Sequence, residues 1–178
     1  MKKIVLVVFL ASLFSCFNKS SNNKPAPDVA DTLVGSTLDN INNSKYSVIE
    51  FKIDNKQCFA TVNEYFRAFK KKNSFPYALW INVETIERND NGHPTGEEAI
   101  LFNSLEDSLI AKFLPKTPFC FIGRTTRDGY REIIYYVADK VKATEIMNLF
   151  IEENKFQRKT TFTIESDPTW EGVSGFYN

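Results

Sequence analysis

The sequence is poor in the residue types that announce chemistry. Its seven glycines form no Gly-rich loop of the kind that cradles a phosphate, and no Gly-x-Ser-x-Gly elbow presents a serine. His93 is the single histidine, so a serine hydrolase would have one residue available as its base. The three cysteines show no Cys-x-x-Cys or His-rich spacing, which removes the common zinc frameworks. The segment "NDNG" lacks the donor spacing and closing glutamate of a calcium loop. Lys plus Arg and Asp plus Glu are balanced at 22 each, and a chain without net charge carries no long-range field toward nucleic acid. No apolar run reaches the roughly 20 residues that cross a bilayer as a helix. These absences make an enzyme the weaker reading, with no cofactor and no nucleic-acid partner expected.

What is present starts with Lys2 and Lys3, then an apolar run from Ile4 to Phe14, the proportions of a secretory signal. Leu13, Phe14 and Ser15 stand immediately before Cys16 and resemble the bacterial lipobox. That resemblance implies a diacylglycerol on the Cys16 sulfur, cleavage before it and acylation of the new amine. Each buried methylene contributes about 0.8 kcal/mol, so two or three chains hold where one does not. The expectation is a signal peptide over 1–15 and a lipidated Cys16. The body is then held to a bacterial membrane through that anchor and faces the periplasm. Residues 17–44 are rich in Asn, Ser, Pro and Asp and read as a flexible tether with a reach near 30 Å. A short strand or turn near Leu33–Leu38 stays open.

Residues 45–178 read as one α+β domain. Tyr46–Ile53 alternates as a strand, Asp54-Asn55-Lys56 is a turn, and Gln57–Ala60 pairs back. Thr61 with Glu64 matches a capping box, and Val62, Tyr65, Phe66 and Phe69 fall on one face of a helix. Phe75–Val83 is the clearest strand. Thr95 with Glu98 starts a helix carrying Phe102, Leu105, Leu109 and Phe113, which Pro115 ends. A hairpin follows, Phe119–Thr125 with Tyr130–Ala138, then a helix from Asp139 to about Asn154 and a closing strand, Gln157–Glu165. From Phe75 the order is that of a ferredoxin-like βαββαβ two-layer core, with an N-terminal strand-helix addition.

Four passages, "FPYALWINVET", "NGHPTGEEAILFNSLEDSL", "FIGRTTRDGYREIIYYVAD" and "ESDPTWEGVSGFY", together resemble the uncharacterised bacterial family catalogued as domain of unknown function 695. The resemblance spans roughly Tyr46 to Tyr177, implies the same fold and brings no catalytic residues with it. The C-terminal half is also similar in pattern to a family of regulators of ribonuclease activity, a partner that a lipidated protein outside the cytoplasm could not meet.

Candidate positions are few. His93, with Asp90 and Glu97, is either a metal ligand or base, or a loop residue before Pro94. Trp170 and Tyr177, beyond the last strand, are candidates for a ligand or partner surface, or for packing. Trp80 reads as a packing residue. Cys58 and Cys120 are either a bridge, which an oxidising compartment permits, or two buried thiols. The expected function is binding of an envelope protein or ligand through the sheet face or C-terminal segment. The alternative is an envelope hydrolase or metal-dependent enzyme using His93 and nearby carboxylates.

Overall fold

Apolar side chains at period two line one face of a strand, and β3 (Tyr77–Glu84) buries Leu79, Ile81 and Val83 in that way. The computed structural model describes residues 29–127 and 129–178; the expected signal peptide and Cys16 lie outside the described residues. Before β3 come α1 (Val29–Asn42), β1 (Tyr46–Ile53) and β2 (Lys56–Asn63). After it come α2 (Gly96–Phe113), β4 (Phe119–Arg127), β5 (Tyr130–Val137), α3 (Lys140–Glu153) and β6 (Thr160–Ser166). Short helical turns occupy Glu64–Phe66, Lys72–Ser74 and Glu171–Phe176. The result is a mixed α/β fold on a six-stranded sheet in the order β1-β2-β4-β5-β3-β6, with antiparallel neighbours throughout. No helix of the described residues is long and apolar enough to cross a membrane.

One sheet face is covered by α2 and α3. Phe102, Leu105, Leu109 and Phe113 from α2, with Ala143, Ile146, Met147 and Phe150 from α3, close over Leu79, Ile133 and Tyr135. Each helix starts where its cap can serve it. Thr95 Oγ1 accepts from the Glu98 N–H, and Asp139 Oδ1 accepts from the N–H groups of Val141 and Lys142, satisfying donors that a helix end leaves orphaned. The return half of the expected box at Thr95 is not made. Glu98 is buried and turns instead to the Ile86 N–H at 3.0 Å and to one edge of the Arg158 guanidinium, Nε and Nη2.

Two expectations change near the N-terminus. The reading of Thr61 to Glu64 as a helix start gives way to strand, because β2 continues to Asn63 and pairs with β1 on one side and β4 on the other. Two ladders satisfy more backbone groups than an isolated helical turn can. Asn63 takes the capping role, its Oδ1 accepting from Tyr65 N–H, and the helical turn is only Glu64–Phe66. The N-terminal addition is therefore a hairpin rather than a strand and helix. Its two-residue turn holds Asp54 and Asn55 at φ of 49° and 63°, left-handed values that these side chains tolerate. In the expected tether, Val29–Asn42 is helical. Polarity there does not prevent docking, because Thr37 exchanges hydrogen bonds with the Phe119 carbonyl and N–H.

A bulge divides β4. Phe121 pairs with Tyr135, but Gly123 pairs with the next residue, Ile134, so Ile122 is an extra residue. Beyond the bulge the alternation is reset, and Arg124, level with Ile133 and Thr61, stands on the helix-covered side. Gly123 has φ of 150°, and a Cβ there would lie 2.1 Å from the Thr61 carbonyl oxygen.

The second sheet face is covered, among the described residues, mainly by short turns and loops, with Leu33 of α1 packed against it. Phe66, Phe75, Ile122, Ile134, Tyr136 and Trp170 form its core. Trp170 adopts a left-handed backbone, φ 63°, and donates its indole N–H to the Phe75 carbonyl at 3.0 Å. Its ring stacks 4.3 Å from Tyr136. Replacing Trp170 with Ala is expected to cost about 3–5 kcal/mol, the loss typical of a buried aromatic, measured as the shift in urea unfolding. A loss under about 1 kcal/mol would show that the indole is not the keystone of this face.

Candidate functional site

His93 sits in a loop closed by its own carbonyl, which accepts from Asn89 N–H at 2.8 Å. Its Nε2 donates to the Gln57 carbonyl at 2.7 Å, and its ring meets Phe59 edge-on at 5.3 Å. These contacts pin the loop to β2. Among the described residues no three His, Cys, Asp or Glu side chains gather to hold a metal ion.

Trp170 is fully buried and therefore lies in the core rather than on a binding surface. Tyr177 is half-buried: its hydroxyl donates to the Asn63 carbonyl at 3.1 Å, and Arg67 reaches its carbonyl at 2.7 Å. Both residues fasten the C-terminal segment to the sheet. Cys58 and Cys120 are free and buried, which corrects the bridged reading. The register puts Cys58 level with Arg127, seven residues along β4 from Cys120. That is about 23 Å of strand at ~3.3 Å per residue, against the ~4.4–6.8 Å a bridge needs.

A groove that none of these residues lines lies between α2 and the sheet. The helices stop over β4, whereas β1 and β2 carry the sheet further, so their helix-side residues form an open shelf. The groove is about 330 Å³, walled by Asn103, Asp107 and Ile110 from α2 and by Tyr46, Thr61 and Phe121 from the strands, with Glu106 and Arg124 between. Glu106 lies on the apolar side of α2, four residues from Phe102 and three from Leu109, and is 5% exposed. One of its oxygens accepts from Arg124 at 2.5 Å and the other from Arg131 at 3.0 Å. A buried carboxylate needs such partners, since leaving water unpaired is prohibitive.

The two arginines differ. Arg131 is buried, with its guanidinium over the Phe102 ring at 4.9 Å. Burial lowers its pKa; Glu106 acts in the opposite sense, and Arg124 adds to the lowering. Arg124 is partly exposed and lines the groove. Below Phe121, the fully buried Tyr135 hydroxyl has no hydrogen-bond partner. Its ring lies 5.2 Å from that of Phe121. Burial, followed by the negative charge of Glu106, pushes its pKa well up, so it is a neutral donor. The arrangement is suited to holding a polar group of a ligand rather than to transferring a proton.

The sequence signal for this site was a charge inside an apolar stripe. Phe102, Leu105, Leu109 and Phe113 mark the buried side of α2, and Glu106 falls among them. The arginines gave no comparable signal, because the bulge that aims Arg124 toward α2 has no mark in a stretch read as continuous strand.

Glu106→Gln should leave Arg131 without its counter-charge and cost about 3–5 kcal/mol, the cost of breaking a buried pair. Arg124→Gln should cost less than half of that, because Arg131 still faces Glu106. Urea unfolding of both variants checks the order, and equal losses would contradict it. A second expectation concerns pH. Burial raises the Asp167 pKa, but the Tyr136 hydroxyl and the N–H groups of Gly172, Glu171 and Trp170 outweigh it, so the value is lowered from 3.8. A lowered folded value means stability present at neutral pH and lost as pH falls from the unfolded value through the folded one. Asp167→Asn should flatten the fall in the urea midpoint below about pH 4; an unchanged slope would assign the acid loss elsewhere.

Neither a curated protein nor a solved structure matches the chain. Residues 45–177 match a family of unknown function, DUF695, a span that takes in every strand and both helices packed on the sheet face. The chain belongs to the DUF695 family.

Proposed function

We propose that this chain is a lipid-anchored protein of the bacterial cell envelope, held at Cys16, whose domain works by binding a ligand in the groove beside Glu106. The cationic start, the apolar run and the cysteine that follows it support the anchor. The observation that carries the binding reading is the buried, unpartnered Tyr135 hydroxyl, on a ring packed against Phe121, which lines the groove together with Arg124 and Glu106. Buried polar groups are nearly always satisfied, so each exception calls for a cause, and the groove beside Phe121 offers one for Tyr135. The enzyme alternative at His93 draws no comparable support, since its Nε2 is engaged by the Gln57 carbonyl.

The fold reading belongs with this proposal. We read β3 to β6 with α2 and α3 as a ferredoxin-like unit carrying the β1–β2 hairpin on one edge. The order β6-β3-β5-β4, with each helix joining strands that are not neighbours, supports it.

The test uses the intact protein from its native cells. Mass spectrometry of the mature product is expected to show diacylglycerol at Cys16, and an unmodified thiol would remove the anchor. Denatured wild type and His93→Ala are expected to release a common small molecule, which a groove-filling Thr61→Trp does not carry. Equal yields from all three would remove the groove as the site.

A further inference from the structure

We propose that the ligand of this groove is a small amphipathic carboxylate. Its carboxylate is seated on Arg124 and the Tyr135 hydroxyl, and its apolar body lies against Tyr46, Phe121 and Ile110. The inference rests on the groove being the binding site and adds the chemistry of what enters it.

Charge comes first. Two guanidinium groups, the partly exposed Arg124 and the buried Arg131, share the single carboxylate of Glu106, so these three groups carry one positive charge in excess, on the groove side. Asp107 is exposed on the same groove wall, and its charge, like that of Glu106, reaches Tyr135, so the favourable charge for an anion comes from Arg124. An anionic group entering at the floor would balance the excess where screening is weakest.

Geometry comes second. Arg124 spends one N–H nitrogen on Glu106, and a guanidinium is a planar fork with five donors, matched to the two oxygens of a carboxylate. The Tyr135 hydroxyl adds a neutral donor without a partner. The Thr61 and Tyr46 side chains line the same space, so the inward-facing polar groups of the strands can all donate. Tyr46 is half exposed and packs 6.3 Å from Phe121. The Tyr135 hydroxyl does not itself line the groove, so the proposal includes a turn of the half-exposed Tyr46 side chain to admit the ligand to it, a motion ordinary for a side chain at a surface.

Apolar area comes third. Tyr46, Phe121 and Ile110 supply two aromatic surfaces and one aliphatic surface in a volume of about 330 Å³. That is the low end of the range for small-molecule sites and suits a compact body rather than a polymer. A bare inorganic anion would leave these walls without a role.

The experiment titrates the full-length lipidated chain in detergent with phenylacetate, hexanoate, phenylacetamide and inorganic phosphate, read by calorimetry. The two carboxylates are expected to bind saturably in the millimolar range or tighter. Phenylacetamide, which keeps the ring and loses the charge, is expected to bind roughly tenfold or more weakly. Arg124→Gln should weaken phenylacetate by about tenfold to a hundredfold. Tyr135→Phe should also weaken it, while leaving the melting temperature unchanged or raised, because a lone buried hydroxyl is removed. That pairing of weaker binding with undiminished stability is not what a purely structural tyrosine would give.

Several results overturn the proposal. They are equal binding of phenylacetate and phenylacetamide, phosphate binding tighter than either carboxylate, wild-type affinity in both variants, or no saturable binding of any carboxylate. If the carboxylates fail while Thr61→Trp still abolishes the co-purified molecule, the ligand class is wrong and the groove stands. If Thr61→Trp changes nothing, both fall together.

Discussion

The indole N–H of Trp170 and the carbonyl of Phe75 are 95 positions apart in the chain and 3.0 Å apart in space. The covering of one whole sheet face hangs on that junction. An antiparallel sheet with apolar residues on both sides must hide both, and α2 and α3 serve only one. The other is closed by short turns and loops, which bury little area each and have no ladder of their own to hold them. Trp170 solves this by filling the centre of that face while tying the last segment to the loop before β3. Asp167 reinforces the tie, taking N–H groups from Glu171 and Gly172 and the hydroxyl of Tyr136. Tyr177 then carries the clamp to Asn63 at the end of β2.

Closing the two faces by different means has left the edges unequal. On the helix side, cover ends at β4, and the hairpin β1–β2 projects beyond it. The groove is the concave corner between the side of α2 and that projecting shelf. Its floor is ionic, where a hydrophobic filling would pack at less cost, since buried ion pairs contribute little net stability compared with apolar replacements. Glu106 and its two arginines are therefore better understood through what they present to the corner than through what they add to the fold. Their position also ties the groove to the core: Arg131 rests on Phe102, and Glu106 is one residue from Leu105.

Much of the fold was legible because its periodicities are strong. Leu79, Ile81 and Val83 alternate without interruption, and α2 and α3 carry their apolar residues at helical spacing up to Phe113 and Phe150. Asp139 and Thr95 announced the starts of those helices. The misreadings share a cause, which is that local pattern was overridden by a partner distant in sequence. Val62, Tyr65, Phe66 and Phe69 do fall at helical spacing, yet β2 has strands on both sides, and no local signal reveals the second neighbour. The polar stretch holding Thr37 and Asn40 looked unable to order itself, but its side chains reach the Phe119 carbonyl. Of the groove, no residue was singled out in the sequence; Glu106, a charge among apolar neighbours, carried the one signal that could have marked it. Trp170 was singled out for its chemistry and left open between a surface and a packing role, because a terminal segment gives no hint of how deeply it docks.

The extra residue at Ile122 acts on β4 much as a shifted reading frame acts on a message. Upstream of it odd-numbered positions face the helices, and downstream even-numbered ones do, so Phe121 and Arg124 share a side that strict alternation would deny them. Regular pairing of the same residues without the bulge would send Arg124 to the opposite layer and bring Thr125 under α2, whereas loss of Ile122 itself would leave Phe121 and Arg124 two positions apart on one side. The corner beside Glu106 thus depends on where β4 departs from regular pairing as much as on the identity of its residues.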